Sequence, residues 1–233
     1  MKIGLISDIH GNLEALTTAM RSLEERQVDR LYCLGDVVGY GANPRECLDL
    51  VRVKAEILLL GNHDAAAAGI ESLEYFNHYA REAATWTQRI LSLEQRQFLG
   101  GLPYEEIRGP MHLVHSAPAR PQEWDYLLSA LDASGQFSFI KGLDCFVGHS
   151  HVPGEYWEGL ADGGREKAGR RIINVGSVGQ PRDGDPRLCF VIYDEESREV
   201  QFIREEYDIE NASRKILEAG LPSFLAQRLF FGQ

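Results

Sequence analysis

The chain has 233 residues, 44% of them hydrophobic, which is enough to bury one substantial core, and its formal net charge is −11. That charge argues against a dedicated binder of polynucleotides, whose affinity comes largely from Lys and Arg neutralising phosphates. No apolar run approaches the roughly 20 residues that span a bilayer, so no membrane partner is expected, and Met1 to Ser7 is too short for a signal h-region.

Lys2 to Ser7 reads as a buried first strand, after which Leu13, Leu16, Met20 and Leu23 recur at helical spacing. Leu31 to Leu34 is a second strand, followed by a loop from Asp36 to Pro44 and a helix opening near Pro44, a residue favoured in a first turn. Glu56 to Leu60 makes a third strand. This alternation predicts parallel strands joined by helical crossovers. From Ala65 to Leu102 the pattern is mostly helical, a cap-like insertion stopped by Gly100-Gly101-Leu102-Pro103. Strands are then expected at Met111 to Val114, Asp144 to Val147, Arg171 to Val175, Leu188 to Tyr193 and Val200 to Ile203, with short connections that predict antiparallel pairing. Ala161 to Gly169 reads as a polar hairpin loop. The whole chain is expected to form one domain, an α/β fold in which a two-sheet sandwich is flanked by helices. Cys33, Cys47, Cys145 and Cys189 form no Cys-x-x-Cys pair and read as buried free thiols of a reducing, cytoplasmic compartment.

Polar residues gather just after the predicted strands: Ser7-Asp8-Ile9-His10-Gly11-Asn12, Gly35-Asp36, Gly61-Asn62-His63-Asp64, Val114-His115 and Gly148-His149-Ser150-His151. Ligands of open α/β sheets bind outside the carboxyl ends of the strands, so these segments can meet at one edge. Asp8 and His10 are two apart, as are His149 and His151, and two residues at that spacing in an extended segment share a face and can chelate one ion. Singly each signal is weak, because an Asp after a strand is often a helix cap and Gly-Asp is an ordinary turn. Together they are strong: five of the seven histidines fall in these segments, leaving His78 and His112 to structural roles.

With these motifs in this order, the chain resembles the calcineurin-like metallophosphoesterases, in particular their small single-domain bacterial and archaeal branch. Gly35 to Gly41, Asn174 to Arg182 and Gly220-Leu221-Pro222 also look like segments of that branch. The resemblance implies that Asp8, His10 and His151 hold one metal ion, that Asn62, His115 and His149 hold a second, and that Asp36 bridges them. Mixed imidazole and oxygen donors favour Mn, Fe, Zn, Co or Ni over Ca or Mg. Two such ions about 3.5–4 Å apart would polarise a phosphoryl group and hold a bridging hydroxide for in-line attack, with no side-chain nucleophile. With Asp8, Asp36 and one hydroxide, the local charge is roughly +1, which attracts a small phosphorylated substrate to an acidic protein.

His63, unassigned to a metal, is expected to donate to a phosphate oxygen or the leaving alkoxide, and Asp64 to orient it and favour its protonated form; the competing reading makes Asp64 a helix cap. Asn12 is a candidate for orienting a ligand or touching substrate, or else a helix cap. Arg182 is a candidate for a phosphate, or else a solvated loop arginine. Tyr40, Arg120, Trp124 and Tyr126 sit in loops that can border the crevice. The expected activity is hydrolysis of small phosphodiesters or phosphomonoesters. The alternatives are a protein phosphatase, a dinucleoside polyphosphate hydrolase, or a non-catalytic regulatory protein of the same fold. A metallo-β-lactamase-like hydrolase would need an early His-x-His-x-Asp-His run, which the chain lacks. The tail from Leu221 to Phe231 is expected to pack on the body, the alternative being a second copy in a homo-oligomer.

Overall fold

A computed structural model describes residues 1–159 and 169–233, so residues 161–168 of the expected hairpin loop lie outside the described residues. The first half alternates as its pattern predicts: β1 (Lys2–Ile6), α1 (Leu13–Glu25), β2 (Arg30–Cys33), α2 (Pro44–Lys54) and β3 (Ile57–Leu58), with β1, β2 and β3 paired in parallel. Pro44 occupies the first turn of α2, where its missing N–H has no helical partner to lose. The segment expected to be helical resolves into α3 (Asn62–Ala68), a 3-10 turn at Leu73–Tyr75, α4 (His78–Ile90) and α5 (Leu93–Gly100).

The second half contains β4 (Glu105–Arg108), β5 (Met111–Val114), α6 (Ala130–Ser134), β6 (Asp144–Val147), β7 (Gly154–Trp157), β8 (Arg171–Asn174), β9 (Leu188–Asp194) and β10 (Glu199–Glu205), then α7 (Ile209–Glu218) and α8 (Ser223–Gln227). Among the described residues these strands form two mixed sheets of five, ordered β10-β9-β1-β2-β3 and β4-β5-β6-β8-β7. Antiparallel pairing holds for β4/β5, β7/β8 and β9/β10, but β5, β6 and β8 run parallel. The connection from β5 to β6 is not short: it crosses over through α6, and a parallel return requires such a crossover.

Side chains alternate across each strand. Ile3 and Leu5 of β1 and Tyr32 of β2 meet Leu113, Phe146 and Ile173 of the other sheet to form the layer between them. Ile6 and Cys33 face the opposite way, against Leu16, Leu48 and Val51 of α1 and α2. The outer face of the second sheet is covered by Leu127, Ala133 and Phe137. In the tail, Leu225 and Leu229 are buried with Tyr40, Ala83 and Ile216, while Phe230 and Phe231 stay exposed. All four cysteines are free and buried. No helix of the described residues is long and apolar enough to cross a membrane.

The two parallel blocks, β1-β2-β3 and β5-β6-β8, direct their carboxyl ends to one edge of the sandwich, and every sequence-predicted donor lies there. At the other end of β6, buried Asp144 accepts hydrogen bonds from Arg171 Nε at 2.6 Å, Arg198 Nε and Nη2 at 2.8 Å each and the Tyr193 hydroxyl at 2.7 Å. Arg171 comes from the second sheet and Tyr193 from the first. One carboxylate therefore clamps the sheets together opposite the predicted site.

Candidate metal centre

The strand-end loops that carry the donors turn more sharply than L-residues prefer. Asp8 (φ 54°), His10 (50°), Asp36 (52°), His149 (64°) and His151 (61°) all adopt left-handed backbone conformations. Such a residue costs on the order of 1–3 kcal/mol and persists only where its surroundings impose it. Here they do: the amides of Asp8 and His10 donate to Gly35 O and Asp36 O, and Gly179 N donates to Asp8 O. Glycines permit the close approach, since a side chain at Gly61 would overlap Asp36 Oδ1 and one at Gly148 would overlap Ser7 Oγ.

The donors fall into groups with one ligand atom from each residue lying within 4.8 Å of the others: Asp8, His10 and His151 form one, Asp36, His115 and His149 another, and His10, Asp36 and His63 a third that overlaps both. Hydrogen bonds fix which ring nitrogen faces inward. His10 Nδ1 donates to Val38 O at 3.2 Å and His151 Nδ1 donates to Gln180 O, so both Nε2 atoms present lone pairs. Those two atoms are 3.0 Å apart, and His151 Nε2 is 3.1 Å from Asp8 Oδ1. Three lone-pair donors turned on one another are reconciled by a shared cation. His115 donates through Nδ1 to Leu34 O at 3.0 Å, whereas His149 is reversed and donates through Nε2 to Trp124 O at 2.9 Å, leaving Nδ1 inward. Asp8 Oδ1, Asn62 Oδ1 and His115 Nε2 are buried without a hydrogen-bond partner, the pattern that a metal ligand leaves. Asp36 Oδ2 lies 3.7 Å from His10 Nε2 and 3.4 Å from His115 Nε2, at the junction of the two groups.

The electrostatics agree. Burial depresses His10, His151 and His149, the last to about 3, and keeps these rings neutral, the form that binds metal. Burial also opposes charge on His115, but Asp36 and Asp8 outweigh it and push that ring up to about 9. Burial would raise Asp36, yet His115, His63 and His10 hold it well below the carboxylate range. A cation entering beside His115 must displace its proton. Apparent metal affinity should therefore rise by about tenfold per pH unit up to roughly pH 9 and fall toward acid. Chelator competition at pH 6, 7 and 8 checks this, and an affinity that stays flat removes the proton competition.

His63 is buried beside this edge, its ring 4.9 Å from that of His10 and 4.4 Å from that of Tyr40, with Nδ1 unpartnered. The expected orienting contact from Asp64 is not formed. Asp64 instead accepts from Val38 N at 3.1 Å and Gly61 N at 3.2 Å, anchoring the start of α3, while burial and the Asp36 charge push its carboxyl up to about 7. Burial, reinforced by Arg182, lowers His63 to about 4 against the pull of Asp36, which favours a neutral ring over the expected protonated one. A neutral ring keeps one N–H to donate. Asn12 takes the helix-cap alternative, accepting from Ala15 N at 3.1 Å and donating to Gly179 O at 2.9 Å, so both ends of its amide are engaged within the protein. His78 pairs with Glu82 on the surface and His112 with Glu105.

A calcineurin-like phosphoesterase superfamily domain model matches residues 1–198. The chain belongs to that superfamily. It is 40% identical over 241 residues to the protein MJ0912 of Methanocaldococcus jannaschii, covering 99% of this chain and 98% of that one. The crystal structure of a metallophosphoesterase from Sphaerobacter thermophilus is 41% identical, with a TM-score of 0.89 over 100% of this chain and 99% of that one. The hypothetical protein PH1004 of Pyrococcus horikoshii OT3 is 20% identical and shares the fold, at a TM-score of 0.84 over 100% of this chain and 98% of that one.

In this member of the superfamily two of the donors, Asn62 and His149, line a cleft of about 680 Å³. Asn62, His63 and His149 line it together with Tyr75 and Phe76 from the α3–α4 connection and Trp124 and Tyr126 from the β5–β6 crossover. Tyr126 stacks on His149, with ring centroids 4.0 Å apart. Trp124 has a left-handed backbone (φ 58°) that delivers its carbonyl to His149, and its indole N–H donates to Glu71 at 3.0 Å. No sequence signal marks a main-chain carbonyl as the support of a ligand. Arg120 pairs with Asp125 and does not line the cleft.

Proposed function

We infer that this chain is a metal-dependent phosphoesterase acting on small phosphodiesters or phosphomonoesters. The reading rests on one observation above all, the convergence of buried donors without hydrogen-bond partners on two adjoining positions that share Asp36 Oδ2. Asp8, His10 and His151 would hold one divalent cation, Asn62, His115 and His149 a second, and Asp36 would serve both. The imidazole and oxygen donors suit Mn, Fe, Zn, Co or Ni. Divalent cations held there supply Lewis-acid chemistry toward a phosphoryl group and lower the pKa of water.

The chain's own residues do the rest. Val38 O, Gln180 O, Leu34 O and Trp124 O fix the ligand rings, which preorganises the donors before substrate arrives. Neutral His63 donates its N–H to a phosphate oxygen or the departing alkoxide. The cleft volume falls in the range of about 300–1,000 Å³ typical of small-molecule sites, which favours a compact substrate over a protein surface.

Purified chain loaded separately with Mn²⁺, Fe²⁺ and Zn²⁺ should hydrolyse at least one of aryl diesters, cyclic nucleotides, dinucleoside tetraphosphates and phosphopeptides, and lose that activity to chelator. Absence of metal-dependent turnover on all four would overturn the assignment in favour of a regulatory protein. His63→Ala should lower turnover by about 10²–10⁴ with metal content retained. Near-normal turnover in that variant would remove the donor role.

A further inference from the structure

The cleft beside the donors carries two aromatic side chains that the fold leaves in water. Tyr75 is 87% exposed and Tyr126 50% exposed, and both line the space that Asn62, His63 and His149 also line. Single exposed rings are ordinary on a protein surface, but these two share one concave space with candidate metal donors.

Both rings are held in place from behind. Tyr75 ends the 3-10 turn at Leu73–Tyr75, and one guanidinium grips the main chain on either side of it: Arg81 Nε donates to Leu73 O at 3.1 Å, and its Nη2 to Glu74 O and Phe76 O at 3.2 Å each. The next residue, Phe76, sets its ring edge-on to His63, with centroids 5.0 Å apart. Tyr126 lies within 26° of parallel to the His149 ring it stacks on. Each exposed tyrosine is thus anchored at one of the two histidines of the cleft. A segment ordered before its ligand arrives loses less entropy on binding, and tyrosine offers a broad face with few rotatable bonds.

Charge narrows the occupant. Among the described residues, no lysine or arginine lines the cleft, whereas Glu71 and Glu123 do. Arg182, the sequence candidate for a phosphate, donates to Gln180 Oε1 at 2.9 Å and is not among the lining residues. Beyond the donors, a second phosphate would meet two carboxylates, and like charges brought together oppose binding. A neutral flat ring meets no such penalty and can stack on a tyrosine face.

We propose that Tyr75 and Tyr126 form a site for a neutral planar ring carried on the phosphate that is cleaved, so that the chain selects aryl or nucleoside esters over alkyl esters. The proposal deepens the phosphoesterase reading and rests on it for placing the phosphate at the donors. Phosphonates, whose C–P bond resists hydrolysis, separate binding from turnover. Benzylphosphonate and cyclohexylmethylphosphonate match in charge and bulk and differ in whether the ring is flat and aromatic. Each is titrated by calorimetry into the Mn²⁺-loaded chain at fixed free Mn²⁺.

The wild type should bind the benzyl compound at least about fivefold more tightly, within the range of one aromatic contact. Tyr75→Ala and Tyr126→Ala should each remove more than half of that preference, and Tyr75→Phe should keep it, because the face and not the hydroxyl is used. Tyr79→Ala removes an exposed tyrosine that stacks on Phe224 outside the cleft and should leave the preference intact. The methylenephosphonate analogue of AMP, set against that of ribose 5-phosphate, distinguishes the source of the ring: a gain larger than the benzyl one assigns a nucleoside, and an equal or smaller gain assigns a simple aryl group. A smaller wild-type preference for the benzyl compound, or one that either alanine variant leaves unchanged within twofold, overturns the ring site whatever the chain hydrolyses. If the preference responds as expected while no ester is turned over, the ring site stands and the hydrolytic assignment falls.

Discussion

If Asp36 serves two cations as proposed, Asp36→Asn should lose at least one metal ion per chain and lower turnover by at least about 10³-fold, beyond the 10²–10³ that loss of a single transition-state hydrogen bond costs. The substitution keeps the shape of the side chain and the bond in which His63 N donates to Asp36 Oδ1 at 2.8 Å, so α3 should stay in place. What disappears is the negative oxygen at the junction of the two donor groups, 3.4 Å from His115 Nε2 and 3.7 Å from His10 Nε2. An amide nitrogen there would face lone pairs with no charge to attract a cation. Metal analysis by mass spectrometry, paired with aryl phosphate turnover, decides the matter. A variant that retains two ions and turns over within tenfold of wild type would show that Asp36 is not the shared ligand.

Asp144→Ala should cost about 3–5 kcal/mol of stability, the usual effect of removing one partner from a buried ionic network. The carboxylate accepts four hydrogen bonds, and its loss leaves buried Arg171, among the described residues, with only Glu155, at 3.6 Å, as an acidic neighbour. Asp144→Asn should cost nearly as much, because the missing quantity is charge and not volume. Burial alone would raise this carboxyl, but bonds from Arg198, Arg171 and Tyr193 hold it below its ordinary 3.8. Its contribution is therefore fully present above pH 3.8 and is lost only as the pH falls through the lower folded-state value. Urea unfolding midpoints measure both variants, and a loss below about 1 kcal/mol would show that the clamp adds little beyond what packing supplies.

The elements legible in the sequence are those whose burial imposes a pattern. β5 and β6 have the boundaries expected of them because all four residues of each are buried. β4 and β7 carry no such pattern because both are edge strands: Glu105-Glu106-Ile107-Arg108 is polar, as edge strands commonly are, and Gly154 to Trp157 follows a proline and is only partly buried. The candidate constellation is legible because strand ends, spacing and residue chemistry coincide at Asp8, His10, Asp36, Asn62, His115, His149 and His151. The supports were not. Asp64 bonds to the main chain of Val38 and Gly61, and Trp124 O holds the His149 ring, contacts that depend on tertiary geometry alone.

Donor loops locked by main-chain hydrogen bonds in left-handed conformations have a bearing on which ion a cell would place there. A cage whose shape is set by the polypeptide takes an ion up without refolding, so exchange between Mn, Fe and Zn is governed by the relative supply and intrinsic affinity of each. Mismetallation would then alter catalysis without altering the backbone, and preparations from differently fed cultures would differ in activity before they differed in shape.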